Sequence, residues 1–443
     1  MLTRTAAYRW YALVLLTTVY AFNIADRYVI STLIEPIKAE LRLSDSAIGL
    51  LTGTALAIVY TGMGMPLARI ADRGERRLLL AISIAVWSVM TAACGLAPSF
   101  LFLLLARIGV GLGEAGATPA SQSVLADLFS FQERMPAMSI FAIGAALGSM
   151  LGGAAGGFIS EAFGWRSAFL GLAVPSLVLA PLVWFSLREP ARSGSLESDP
   201  DSNNTVLELW RFAKSQKALF HTLIGATVCT FWSWGLLWWT PAFLARSYGF
   251  STGEAGLLLG LINGIGGTVG VLIGGFVIHR VGLRDPRRQC SSLAAIVTVA
   301  TVASVVAYAV ANRVLMIVMM SIFIPVAYLY LAPAFGWIQS LAPPRMRATY
   351  SAVFLFGANI ANLAVAPQLI GYGSDLLAAR PEIGQESLRW MLVATAFSGF
   401  WAAAHFWVTG HTFRADLERV GTSVSSGVYS LQGEVSAVMR SRP

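Results

Sequence analysis

The chain has few charged residues for its length. Only 12% of its 443 residues are Asp, Glu, Lys or Arg, whereas 56% are hydrophobic and the mean hydropathy is +0.67. Soluble proteins carry roughly 25% charged residues, and a chain of this length would otherwise suggest about three soluble domains. The composition excludes that organisation, because so few charges cannot cover several globular surfaces. It indicates a protein whose outer surface faces the lipid bilayer.

Several kinds of functional site are also missing from the sequence. The three cysteines, Cys94, Cys229 and Cys290, are scattered and odd in number, which supports neither a disulfide framework nor a metal site. The net charge is +8, but no dense basic stretch with interleaved aromatic residues suggests nucleic-acid binding. Neither a Ser–His–Asp set at plausible spacing nor an intramembrane HExxH motif is present. We therefore expect no enzymatic activity, no metal, no cofactor and no nucleic-acid partner.

Long apolar stretches divide the chain into twelve segments. A helix needs ~20 mostly apolar residues to cross the roughly 30 Å hydrocarbon core of a bilayer. The predicted segments 1 to 12 are residues 10–35, 46–70, 78–97, 100–126, 136–160, 166–187, 218–245, 253–279, 290–310, 314–340, 347–373 and 388–410. The sequence thus predicts an all-α membrane protein of twelve transmembrane helices in two pseudo-symmetric six-helix halves.

The distribution of Lys and Arg predicts the orientation of these segments. With both termini inside, the inner side receives 22 of the 31 basic residues and the outer side receives seven, while Arg27 and Arg107 lie within segments 1 and 4. Basic residues accumulate on the cytoplasmic side of membrane proteins. We therefore expect a protein of the cell membrane, the inner membrane if the source is bacterial, with both termini in the cytoplasm.

The polar stretch at residues 191–204 has the composition of a flexible linker. An amphipathic stretch follows it, and we expect this stretch to lie on the inner leaflet. The predicted organisation is an N-terminal six-helix bundle at residues 1–188, a cytoplasmic linker with an interfacial helix at 189–217, a C-terminal six-helix bundle at 218–410 and a cytoplasmic tail at 411–443.

Motifs in the loops give the sequence a resemblance to a known family. Segment 2 is followed by Asp72-Arg73, and segment 8 is followed 207 residues later by His279-Arg280, as in a duplicated chain. The first of these loops reads ARIADRGERR, which is similar to the Gly-x-x-x-Asp-Arg-x-Gly-Arg-Arg motif of the major facilitator superfamily. The resemblance implies a transporter fold of twelve helices and a cytoplasmic gate that includes Asp72, Arg73 and Arg76.

Two further stretches resemble the spinster branch of that superfamily. They are NIADRYVISTLIEPI in segment 1 and RIGVGLGEAGATPASQSVLADLF in segment 4. Members of the branch export lysophospholipids or sphingosine-1-phosphate-like amphiphiles. The positions that match the branch's membrane-embedded polar site are Asp26, Arg27, Arg107 and Glu114.

Inserting an ionisable residue at the centre of a membrane helix costs at least about 2.5–3.5 kcal/mol of free energy. Residues retained at that cost usually serve a function, so we take these four as candidate site residues. The alternative is that they form two structural ion pairs between segments 1 and 4. Arg107 and Glu114 share one face of a helix, about 10 Å apart along its axis, and we expect Glu114 to lie farther from arginine than Asp26 does. Arginine suits a phosphate or carboxylate head group, so we assign Arg27 and Arg107 to substrate and Asp26 and Glu114 to protons.

The second half offers aromatic and amide side chains instead of charges. With Asn23 and Glu114 from the first half, the predicted substrate-binding residues are Arg27, Arg107, Trp232, Trp234, Tyr328, Tyr330 and Asn359. The alternative for the tryptophans is an interfacial belt. A charged half opposite an apolar half suggests an amphipathic anion as the substrate.

Glycines recur at every fourth residue in segments 5 and 8, at Gly144, Gly148, Gly152 and Gly156 and at Gly266, Gly270 and Gly274. Small residues at this spacing let helices approach closely. In the family's arrangement segments 5 and 8 meet, so we expect these glycines at the contact between the two halves.

The sequence as a whole predicts a monomeric secondary transporter that moves an amphipathic anionic lipid or lysolipid by alternating access, coupled to protons. Two alternatives within transport are a hydrophilic organic-anion carrier and a multidrug exporter. An alternative from another class is a lipid-binding receptor that does not transport.

Overall fold

The computed structural model describes residues 5–55, 57, 59, 62–63, 66–67, 70, 74–190, 206–278, 280, 285–343 and 346–440. The described residues form helices joined by short loops, and none of them is in a strand. This confirms the predicted all-α class. We number the membrane helices α1 to α12 after the predicted segments. Consecutive helical stretches that belong to one segment are counted as one helix.

In the first half, α1 is Ala6–Thr32, continued by Ile34–Leu41, and α2 begins with Asp45–Gly49 and Leu50–Thr54. Next come α3 (Arg76–Gly95), α4 (Phe100–Leu128), α5 (Phe131–Met150, Leu151–Ala155 and Gly156–Phe163) and α6 (Trp165–Ser186). A short linker helix, Val206–Ser215, precedes the second half.

In the second half, α7 is Lys217–Tyr248, and α8 is built from Thr252–Leu261, Ile262–Gly266, Gly267–Leu272 and Ile273–Ile278. Then follow α9 (Pro286–Ala309), α10 (Arg313–Phe323, Val326–Leu329 and Leu331–Leu341) and α11 (Arg347–Asn359, Ile360–Val365 and Ala366–Ala378). The last rod, α12, consists of Ser387–Ala396 and Ser398–Arg440.

Ten helices among the described residues are long and apolar enough to cross a membrane. They correspond to every predicted segment except 2 and 7. Segment 7 is nevertheless a continuous helix of 32 residues, about 48 Å long at 1.5 Å per residue, and segment 2 falls partly outside the described residues. The structure is therefore that of an integral membrane protein and is consistent with twelve spans.

Four helices carry π-helical turns within the described residues. These are α2 (Leu50–Thr54), α5 (Leu151–Ala155), α8 (Ile262–Gly266 and Ile273–Ile278) and α11 (Ile360–Val365). The same four helices pack in pairs between the two halves, α2 on α11 and α5 on α8, and α1 also contacts α7. A π turn is rare and is frequently found at functional sites.

The glycine stripes lie elsewhere than the sequence suggested. A Cβ at Gly148 would lie 2.3 Å from the Ala21 carbonyl oxygen of α1, and one at Gly270 would lie 2.1 Å from the Pro325 carbonyl oxygen of α10. The stripes therefore join helices within each half, and the expectation that they lie between the halves is wrong. At that contact stand Gly153 and Gly256, where a Cβ on Gly256 would lie 2.1 Å from the Gly153 carbonyl oxygen.

The predicted end of the second bundle at residue 410 is not a helix end. The last piece of α12 continues to Arg440. Just beyond residue 410, the Asp416 carboxylate accepts a 2.7 Å hydrogen bond from the Ala218 amide at the start of α7. The beginning of the predicted tail is thus part of the second half.

Candidate functional site

The centre of the first half contains an ion pair between α1 and α4. Arg27 Nε lies 2.6 Å from Glu114 Oε2, with 14% of the arginine side chain exposed and none of the glutamate. Both groups were predicted from the sequence as site residues, but Glu114 was expected to lie farther from arginine than Asp26 does. That expectation is wrong, because Glu114 is itself the ion-pair partner of Arg27.

Asp26 has different partners. One carboxylate oxygen accepts a hydrogen bond from the Thr91 hydroxyl of α3, and Arg107 Nη1 donates to the backbone carbonyl of Asp26 at 3.3 Å. Asp26 also interacts electrostatically with Glu114, Arg107 and Arg27. The four charges thus form one cluster, although only Arg27–Glu114 is an ion pair between described residues.

Helix α3 contributes polar groups that the sequence analysis did not select. Besides Thr91, Trp87 and Ser88 are fully buried, and neither the Trp87 indole nitrogen nor the Ser88 hydroxyl has a hydrogen-bond partner among the described residues. Asn23 of α1 is also buried, at 1% exposure, and its amide has no partner in the part of the chain that the structure describes. Asn23 therefore faces the interior of the first half, and its role as a substrate contact stays a prediction.

Aromatic side chains from the second half face α1. The Tyr28 ring lies 5.6 Å from that of Trp238 and 6.4 Å from that of Trp234. Trp234 packs at 5.1 Å against Tyr328, whose hydroxyl donates to Asn263 at 3.0 Å. Tyr28 was not predicted, although it follows Arg27 directly in the sequence.

The remaining predicted residues of the second half are less favourably placed. Trp232 is fully buried, donates to Ser304 at 3.2 Å and packs on Phe323, so it belongs to the core of that half. Tyr330 is also fully buried, and its hydroxyl lies 2.6 Å from that of Thr230. Their predicted contact with substrate stays a prediction. Asn359 is partly exposed at the π turn of α11, and its role stays a prediction.

Of the predicted cytoplasmic gate, Asp72 and Arg73 lie outside the described residues. Arg76 is described and is 2% exposed. Its guanidinium lies 2.5 Å from Asp127 and 2.7 Å from Glu189. These contacts fasten α3 to α4 and to the chain that leaves α6, so they lie within the first half.

The two halves are joined by charges at the end of the bundle opposite the termini, which the sequence predicts to face outward and which we call the outer end. Arg246 of α7 donates two hydrogen bonds to Asp45, at 2.7 and 2.8 Å, and one to Glu35 at 2.8 Å. Lys38 also contacts Asp45. Burial raises the pKa of Asp45, but Arg246, Lys38 and Ser374 outweigh it and lower the pKa to about 2.

Two further carboxylates reach across to helix N-termini of the opposite half. Asp375 of α11 accepts from the amides of Asp45 and Ser46 at the start of α2, at 3.0 and 2.8 Å. Glu161 of α5 accepts from the Gly253 amide at the start of α8, at 3.1 Å. Unpaired amides and the helix dipole favour an anion at such positions. The outer end is therefore closed.

Comparisons with known proteins agree with this architecture. A model of the family described as Major Facilitator Superfamily matches residues 16–366. The chain belongs to the major facilitator superfamily. This confirms the resemblance noted in the sequence and makes the protein a member of a family of transporters, which are generally not enzymes.

Relatives of this superfamily member are similar over nearly the whole chain. An "MFS-type efflux pump" of Mycolicibacterium smegmatis is 34% identical over 92% of this chain and 94% of the pump. The sphingosine-1-phosphate transporter SPNS2 of Danio rerio is 26% identical over 91% of this chain and 84% of its own. A solved bacterial homologue of the human lysosomal transporter Spinster, inward-facing and unoccupied, has a TM-score of 0.81 at 27% identity and covers 93% of this chain and 99% of its own.

Proposed function

We propose that this major facilitator protein moves an amphipathic anionic lipid, such as a lysophospholipid or a sphingosine-1-phosphate-like molecule, across the cell membrane by alternating access, as a monomer with both termini in the cytoplasm. The observation that carries the proposal is the partly exposed Arg27 paired with the buried Glu114. A phosphate head group competes with Glu114 for the guanidinium, since arginine binds two oxygens at once.

The aromatic residues of the second half give the tail of such a substrate an apolar wall. Trp234 is partly exposed and lies with Tyr328 and Tyr28 where the halves meet. An anionic head at Arg27 and a chain against these rings account for ionisable residues in the membrane interior of the first half and aromatic residues in that of the second half. The SPNS2 relative supports this substrate class by its name.

Proton coupling follows from the same pair in our proposal. When the head group occupies Arg27, Glu114 loses its counter-charge in a buried site, where an unpaired carboxylate is costly. Glu114 then takes up a proton, and Asp26 exchanges protons with it.

The test is the flux of a labelled lysophospholipid in proteoliposomes, with and without an imposed pH gradient. We expect gradient-dependent flux that is lost in Glu114→Gln and Asp26→Asn and kept in Glu382→Gln, a matched change of an exposed carboxylate. Flux that ignores the gradient would remove the proton roles. No flux with any lysolipid would reject the lipid.

A broad drug exporter is the second candidate, because the M. smegmatis efflux pump is 34% identical to this chain. The two functions differ in what competes for transport. A lysolipid transporter depends on acyl-chain length and on the anionic head, whereas a drug exporter moves dyes and cations with no anionic group. Competition of both ligand series against one labelled lysolipid separates them.

A further inference from the structure

The buried polar atoms without partners are concentrated between α1, α3 and α4. In this region they are the side-chain amide of Asn23, Asp26 Oδ1, Trp87 Nε1, Ser88 Oγ, Arg107 Nε and Glu114 Oε1. We call these six residues the polar cluster. A buried polar group that lacks a hydrogen bond is costly and calls for an explanation.

The two carboxylates in the polar cluster, Asp26 and Glu114, each have one oxygen with a partner and one without. Asp26 gives one oxygen to Thr91 and leaves Oδ1 without a partner, whereas Glu114 gives one oxygen to Arg27 and leaves Oε1 without a partner. Both residues are at most 1% exposed. Each carboxylate therefore keeps one buried oxygen free to accept a hydrogen bond or a proton.

Along the membrane normal, helix geometry places the uncharged residues of the polar cluster between the level of Asp26 and the level of Glu114. α1 and α3 run in the same direction and touch at Asp26 and Thr91. Three residues earlier on each helix stand Asn23 and Ser88, about 4.5 Å nearer the end that carries the termini. Glu114 lies seven residues beyond Arg107 on the antiparallel α4, about 10 Å further in that direction.

The chemistry of the cluster identifies what can bind there. Its partnerless atoms include N–H donors on Asn23, Trp87 and Arg107 and oxygen acceptors on Asn23, Asp26 and Glu114. A metal cation at these partnerless atoms would lie against three N–H groups, and an anion would lie against two carboxylate oxygens, so neither ion matches the mixed set of donors and acceptors. Water donates and accepts at once, and buried water typically makes about three hydrogen bonds to otherwise unsatisfied groups.

We propose that a short chain of bound water molecules, held by Asn23, Trp87 and Ser88, bridges Asp26 and Glu114 and carries a proton between them. A proton that leaves one carboxyl passes to the nearest water, each water passes a proton to the next, and the last water passes one to the partnerless oxygen of the other carboxylate, so every water is unchanged. Trp87 and Ser88 are positioning residues in this scheme, and they contact no substrate. The transport role of this water rests on the proposed proton coupling, but its presence does not.

The presence of the water is tested without transport, by X-ray hydroxyl-radical footprinting of the purified protein. Radicals form from bound water, so a buried side chain beside it is labelled. Trp232 is the matched control, since it is equally buried but donates to Ser304. We expect Trp87 to be labelled at least about tenfold faster than Trp232, and much less in Ser88→Ala. Equal, slow labelling of the two tryptophans would overturn the proposal.

The role of the water is tested by comparing two kinds of transport in proteoliposomes. In Ser88→Ala and Trp87→Phe we expect substrate exchange without a gradient to stay near the wild-type rate. Uptake driven by a pH gradient should fall about tenfold, the size of one lost hydrogen bond to a charged group. Ser176→Ala is the control, because this buried serine of α6 donates to the Leu172 carbonyl of its own helix and has no other partner among the described residues.

The outcomes separate the two proposals. Wild-type flux that ignores the gradient removes the proton coupling while the footprint still decides on the water. Gradient-driven flux that survives in both α3 variants overturns the relay and leaves the coupling intact. Equal loss of exchange and gradient-driven flux, shared with Ser176→Ala, would assign Ser88 to packing. A sodium requirement that disappears in Ser88→Ala would replace water with a cation.

Discussion

Arg27 and Glu114 lie inside the first half, where each charge would be unfavourable without the other. Glu114 is fully buried, and Arg27 is its ion-pair partner at 2.6 Å. A buried ion pair does little for stability compared with apolar residues, but removal of one partner leaves an uncompensated charge. A ligand that binds Arg27 therefore changes the energy of Glu114 directly.

A double-mutant cycle measures this dependence. We expect Arg27→Gln and Glu114→Gln each to destabilise the protein and the double variant to recover part of the loss, with a coupling free energy of roughly 1–3 kcal/mol. Arg9 and Glu133 form the control pair, since they are 2.8 Å apart but 22% and 47% exposed. Their coupling should stay below about 1 kcal/mol. Thermal unfolding in detergent supplies the free energies, and equal coupling in both pairs would contradict the prediction.

The charged members of the site were predictable from the sequence, but their partners were not. A charge at a helix centre is expensive in lipid, so Asp26, Arg27, Arg107 and Glu114 stood out. The pairing of Arg27 with Glu114 depends on how far α1 and α4 are shifted along each other, which periodicity does not encode. Trp87 and Ser88 went unnoticed because both residue types are ordinary in membrane helices.

At the scale of helices, the sequence correctly predicted that the glycine stripes of α5 and α8 pack closely against other helices, but the helices they pack against were predicted wrongly. Glycines at every fourth residue form a helix face without side chains, to which another helix can pack closely. The spacing does not specify which neighbouring helix that is. In the structure α5 presents Gly144, Gly148 and Gly152 to the backbone of α1. The residues that touch the opposite half, Gly153 and Gly157, are one helical step away and lie outside the stripe.

Alanine substitutions test which glycines need to be glycines. Gly148→Ala places a methyl group 2.3 Å from the Ala21 carbonyl oxygen, so α5 and α1 have to separate. Gly336→Ala in α10 meets nothing within 4 Å, and alanine is favoured over glycine in a helix by about 1 kcal/mol. We expect Gly148→Ala to lower the thermal midpoint and Gly336→Ala to maintain or raise it. Similar midpoints for both variants would refute the close contact with α1.

At the scale of the whole molecule, the same kind of contact closes the outer end at two places: a carboxylate of one half caps a helix N-terminus of the other. α2 begins at Asp45 and α8 at Thr252, which lie 207 residues apart, the same spacing as the two loop motifs. Each of these helix starts receives a carboxylate from the opposite half, Asp375 for α2 and Glu161 for α8. The predicted segments 5 and 11 end at residues 160 and 373, just before Glu161 and Asp375, so these two caps were not predicted.

Neutralising both caps should open the outer end. An amide side chain is a weaker acceptor for helix N-terminal amides and carries no charge for the dipole. In the double variant Asp375→Asn/Glu161→Gln we expect a longer-distance population between spin labels on the exposed positions Pro98→Cys and Ala311→Cys, one in each half. Asp285→Asn is the control, since this carboxylate caps α9 within its own half. A distance distribution like that of the wild type would mean that the caps do not hold the halves together.

The Asp45–Arg246 contact should make this closure insensitive to pH over the physiological range. The pKa of Asp45 is about 2 in the closed protein, against about 4 when the group is exposed to water. Protonation therefore favours the open state, and the contribution of Asp45 to closure is complete above about pH 4 and is lost as the pH falls through about 2. The same spin labels should report one unchanged distance from pH 8 to 4 and an opening below that, with circular dichroism to show that the helices persist. Asp45→Asn should populate the open distance already at pH 7, and opening of the wild-type protein between pH 7 and 5 would show that a different group controls the outer end.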